Sequence, residues 1–142
     1  MRVSARWLVW CFMGVLTPVR AAAGQSTLSE AAARAKQAVS AHDAPALVGK
    51  SSNVVLQIPG ADASSPLGRS QAIELLRRYL RPAQERGLDV TAIREVEPGK
   101  GFIELTRRYV VSGTSELRHE TLYLGYRLLD GEWRLVELRS AP

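Results

Sequence analysis

Asp130-Gly131 lies between two runs of alternating apolar and polar residues, and it is the third tight turn in series after Glu97-Pro98-Gly99-Lys100 and Ser112-Gly113-Thr114-Ser115. Asp-Gly suits a two-residue hairpin loop in which both residues take positive φ, so the flanking runs are expected to pair as antiparallel strands. The three turns divide the chain into strands near 88–96, 101–111, 116–129 and 132–140. A meander with one apolar face needs a second layer to cover it.

That layer lies upstream. Thr27-Leu28-Ser29-Glu30 reads as a capping box, in which side chains satisfy each other's free amides, opening an alanine-rich helix to about Ala41. His42 and Asp43 end the helix, and His42 is placed to favour its negative end. Asp43 caps a second, short helix with Pro45 in its first turn, which runs to Gly49. Asn53 to Ile58 is β-rich and stops at Pro59-Gly60. A third helix begins near Ser70, buries Ala72, Ile73, Leu76, Tyr79 and Leu80, and ends before Pro82. Helices first and a meander last is an α+β order.

Hairpin register extends the reading to individual residues. A two-residue Asp130-Gly131 loop sets Leu129 opposite Glu132, and the same face then pairs Leu128 with Trp133, Tyr126 with Leu135 and Leu124 with Glu137. The preceding turn pairs Ile103 with Leu124, Leu105 with Leu122, Arg107 with Glu120 and Tyr109 with Arg118. Both hairpins select one face, which is mostly apolar and is taken as concave. A strand bulge would move parts of this list by one residue.

The charges on that face are its informative exceptions. Arg107 lies across from Glu120, and Arg139, placed opposite Leu122, is diagonal to it. This is either an anion or polar-ligand site at the open end or a cross-strand ion pair. Glu120, flanked by arginines, is expected to stay ionised and weakly basic. Glu137, among Leu122, Leu124 and Tyr126, would gain a raised pKa if buried, as a general base requires. Tyr109, Tyr126 and Trp133 form either an aromatic pocket wall or core packing. The candidate ligand pocket is therefore Arg107, Tyr109, Glu120, Tyr126, Trp133, Glu137 and Arg139. If the chain is an enzyme, its catalytic set is Glu137 with Tyr109 or Tyr126 as donor. His119 falls on the opposite face near Arg108. Two histidines on different elements give no metal-ligand spacing, and no glycine-rich phosphate loop or Gly-x-Ser-x-Gly elbow occurs, so neither a metal nor a cofactor is expected.

The element order, the run Gly68-Arg69-Ser70-Gln71-Ala72 into the third helix, and the closing run from Tyr126 to Val136 resemble the nuclear transport factor 2-like (cystatin-like) superfamily. Within it the chain is most similar to uncharacterised exported bacterial families. The resemblance covers about residues 27–140 and is one of pattern. It implies an α+β cone in which three N-terminal helices pack on a strongly curved, mostly antiparallel sheet, often with a pocket at the open end. It implies no single chemistry, because the cone hosts isomerases, dehydratases and binding modules.

The N-terminus bears on compartment. Arg2 and Arg6 precede an apolar run from Trp7 to Leu16, and Thr17-Pro18 leads into the small residues Ala21-Ala22-Ala23-Gly24. This is the layout of a cleavable secretory signal over residues 1–23, with a single domain over 24–142. About ten apolar residues are too few to span a bilayer, so no stable membrane insertion is expected after cleavage. The formal net charge of +5 includes three arginines of this segment; the rest carries sixteen basic and fourteen acidic residues, interspersed, which argues against nucleic acid as a partner. Cys11, the sole cysteine, would leave with the signal. The sequence thus points to a secreted or periplasmic, non-catalytic binding module. Its partner would be a small, partly apolar ligand or a protein, with a homodimer compatible. The alternative is an isomerase- or dehydratase-like enzyme of the steroid-isomerase and polyketide-cyclase kind.

Overall fold

A computed structural model describes residues 27–62 and 65–142, so the proposed signal lies outside the described residues. The elements run α1 (Leu28–Ser40), α2 (Ala44–Val48), β1 (Asn53–Gln57), β2 (Leu67–Gly68), α3 (Arg69–Leu80), β3 (Ala83–Glu97), β4 (Lys100–Val111), β5 (Leu117–Leu129) and β6 (Glu132–Ala141). The capping box at Thr27 and Glu30 forms, and Asp43 caps α2 through the Ala46 amide. α1 buries Leu28, Ala31, Ala32, Ala35, Ala38 and Val39, a stripe of mostly small residues that lets the helix lie close to the sheet. Its C-terminus closes as a Schellman motif, with the Asp43 amide donating to the Ala38 carbonyl and the His42 amide to the Val39 carbonyl. His42 takes the left-handed position there, at φ 52°.

The six strands form one open, mixed sheet in the order β2-β1-β6-β5-β4-β3. β1 runs parallel to β6 through Val55–Glu137, Leu56–Leu138 and Gln57–Arg139, and the meander is antiparallel. Asp130 and Gly131 both have positive φ, as the tight hairpin requires. The β3–β4 ladder slips at three places, and each bulge adds bend and twist to the sheet. β3 starts at Ala83, earlier than the sequence indicates, so the polar run Gln84-Glu85-Arg86 belongs to the sheet.

The expected β4–β5 register is the observed one, including Arg107 opposite Glu120. Near the turn β5–β6 is also as expected, with Leu128 facing Trp133 and Tyr126 facing Leu135. Beyond that it departs, because Val136 is an extra residue: Gly125 faces Glu137 and Leu124 faces Leu138. The inserted residue reverses the alternation, so Leu138 enters the core, while Glu137 and Arg139 turn to the outer face. The core lies between α1–α3 and the inner face, filled by Leu56, Leu76, Ile103, Leu105, Leu122 and Leu124 among others.

Candidate functional site

The structure distributes the expected pocket residues over three places. Glu137 and Arg139 lie on the outer face. Glu137 lies beside Gly125, where an added Cβ would come within 3.0 Å of its Cγ, and lines a shallow dent of about 130 Å³. Arg139 stacks its guanidinium 4.8 Å from the Tyr123 ring centre. The bulge at Val136 therefore removes Glu137 from the concave face where a base was expected.

Arg107, Tyr109 and Glu120 form a second group, on β4 and β5. Arg107 is 1% exposed. Its partner is Glu85 on β3 and not Glu120: Nε donates to one carboxylate oxygen at 3.2 Å and Nη2 to the other. Glu85 also meets His42 Nε2 at 3.2 Å, tying the α1–α2 joint to the sheet. The Arg107 guanidinium lies 4.4 Å from the Tyr109 ring centre and 5.8 Å from that of Tyr79. Glu120, 8% exposed, has a buried Oε1 without a hydrogen-bond partner, and the Tyr79 hydroxyl is likewise buried and unpartnered. Because Glu85 already matches the charge of Arg107, Glu120 is not held ionised as its arginine neighbours suggest. Burial pushes its pKa up to about 7. The carboxyl can thus hold or accept a proton near neutrality.

Tyr126 and Trp133 belong to a third place, a cleft of about 410 Å³ between α1, α2 and the start of β6. β1 pairs β6 only from Glu137 onward, and along residues 132–135 the chain of α2 and Lys50 runs beside the strand instead. Ser51, buried there, donates to the Leu135 carbonyl and fixes this spacing. The apolar wall is Ala31 and Ala35 of α1, Leu47 and Val48 of α2, and Trp133 and Leu135 of β6. Charge enters from Arg34, Lys50, Glu132 and Arg134, of which Lys50 and Glu132 pair at 3.0 Å. That hydrogen bond and the Lys50 charge lower the Glu132 pKa, with Arg134 and Arg34 adding to it. Burial raises the pKa of the Tyr126 hydroxyl, and Arg34 opposes the rise. Arg34 and Lys50 belong to helical and loop segments that hairpin register does not reach, so the sequence does not place them beside Tyr126 and Trp133. Among the described residues no group of three histidine, cysteine or carboxylate side chains is placed to hold a metal.

No family model matches the chain, and no curated protein is significantly similar to it. Solved structures are similar to it. A ketosteroid isomerase-like protein from Erwinia carotovora atroseptica has a TM-score of 0.65 at 15% identity, over 81% of this chain and 95% of that one. A protein from the NTF2-like family of Streptomyces avermitilis, named as a dehydratase, has a TM-score of 0.59 at 14% identity, over 81% and 92%. The fold is nuclear transport factor 2-like. A DUF4783 family protein from Bacteroides ovatus shares this fold, with a TM-score of 0.62 at 12% identity over 76% and 91%. The nuclear transport factor 2-like cone thus accounts for the helical layer, the bent sheet and the space between them, and it leaves the chemistry to the side chains.

Proposed function

We propose that this chain is an exported, non-catalytic binding domain that takes a small, partly apolar ligand in the cleft between α1, α2 and β6. The observation that carries the reading is the cleft itself: about 410 Å³, with an apolar wall around Trp133 and Leu47 and charges only at selected points. That size and lining are those of small-molecule sites. Export follows from the signal-like segment at residues 1–23. A titration with the neutral dye Nile red tests the reading, since its emission rises on entering an apolar site. Ala46 is exposed and lines the cleft, so Ala46→Trp should fill it and abolish the rise while leaving the circular dichroism spectrum unchanged. A dye response that Ala46→Trp does not alter would overturn it.

One observation favours a second reading. Glu120, with a pKa near 7 and an unpartnered carboxyl oxygen, has the properties of a general base, whereas Glu137 lies on the outer face. On that reading the chain is an isomerase- or dehydratase-like enzyme in which Glu120 removes a proton, and the candidate donor is the Tyr79 hydroxyl, whose ring lies against Arg107, the residue opposite Glu120. Its test is exchange of an acidic C–H of a carbonyl substrate into deuterated water, lost in Glu120→Gln.

A further inference from the structure

The charges of the cleft are unbalanced in a way that its fold does not require. Three cations and one carboxylate line it, and among the described residues Lys50 is the one of the three with a carboxylate at hydrogen-bond distance, Glu132. Arg34, exposed on α1, has no carboxylate within ion-pair distance among the described residues. Among the described residues the one carboxylate within ion-pair distance of Arg134 is Asp130 at 3.7 Å, and that side chain is 92% exposed at the hairpin turn, where an ion pair contributes little. Arg134 Nε is buried without a hydrogen-bond partner. Three neighbouring cations repel one another, and that cost falls when an anion enters. Arg34 is also close enough to act on both the Tyr126 hydroxyl and the Glu132 carboxylate, so its charge bears on the cleft interior.

From this placement we infer that the ligand is an amphipathic monoanion, a carboxylate on an apolar body, with its head group among Arg34, Lys50 and Arg134 and its tail against Leu47, Trp133 and Leu135. The inference rests on the cleft being the binding site and adds the charge of its occupant. Its balance is simple: the carboxylate meets the two cations that Glu132 does not neutralise, and the tail displaces water from the apolar wall.

Calorimetric titrations of the protein with octanoate, octanol and octylamine separate head group from tail. Octanoate should bind roughly tenfold or more tightly than octanol, with octylamine weakest, and added salt should weaken octanoate alone. Arg34→Gln, at an exposed helical position, should weaken octanoate severalfold, toward the affinity of octanol, and leave octanol unchanged. Octanol binding as tightly as octanoate, or octanoate affinity unchanged in both Arg34→Gln and Lys50→Gln, would overturn the anionic ligand and leave the binding cleft intact. Failure of all three compounds to bind would remove the cleft reading together with the inference.

Discussion

Replacing Glu120 by glutamine tests the electrostatics of the Arg107 group. The carboxyl is 8% exposed with an unpartnered oxygen, and its pKa rises from 4.5 to about 7 on burial. A raised folded-state pKa means that the native state binds the proton more tightly than the unfolded chain. Between about pH 4.5 and 7 the native state is therefore the more protonated, and stability falls as pH rises through that window. Below the window both states are protonated and no penalty exists. Above it both are ionised, and the native protein carries the full cost, about 3 kcal/mol by linkage. Glutamine keeps the shape and cannot ionise. Urea denaturation of both proteins from pH 4 to 8 should give curves that agree at the acid end and diverge by up to about 3 kcal/mol at pH 8, the variant being the more stable. Taking the difference cancels the groups common to both proteins. Parallel curves across the range would show that Glu120 is solvated or paired.

Three further outcomes follow from the same geometry. Glu85→Gln leaves Arg107 buried with Glu120 as the remaining carboxylate across the strand, so the Glu120 pKa should fall, measurable by carboxyl-carbon NMR; breaking the Arg107–Glu85 pair should destabilise by about 3–5 kcal/mol less whatever Glu120 recovers. Gly101→Ala places a Cβ 2.5 Å from a Leu28 methyl and 3.3 Å from the Arg94 carbonyl, and should lower stability by about 1–3 kcal/mol in chemical denaturation. Deleting Val136 restores simple alternation and turns Glu137 inward in place of Leu138, so the variant should lose cooperative thermal unfolding, whereas Val136→Ala should keep it.

Local signals carried most of the fold. The capping box at Thr27, the Asp43 cap and the positive-φ pair Asp130-Gly131 each act within a few residues, and all three form as the sequence indicates. Register counted from the turns holds until Val136, because nothing in the composition of Leu135-Val136-Glu137-Leu138 marks which residue is inserted. That single residue moved Glu137 and Arg139 out of the expected pocket. The partner of Arg107 was hidden for another reason: β3 begins in Ala83-Gln84-Glu85-Arg86-Gly87, which has no apolar alternation to mark it as strand. The cleft was illegible because its walls come from three elements whose spacing depends on the left-handed turn at His42 and on Ser51 binding the Leu135 carbonyl. Tyr126 and Trp133, named from register alone, do line that cleft, yet the cations beside them needed the tertiary structure.

The most direct test of the proposed function is a two-dimensional amide NMR titration of the protein with octanoate. Saturable shifts should concentrate at Ala31, Arg34, Leu47, Lys50, Trp133 and Leu135, with the amides of Glu85, Arg107 and Glu120 unmoved. Shifts concentrated instead around Arg107 and Glu120, or none at saturating octanoate, would contradict it.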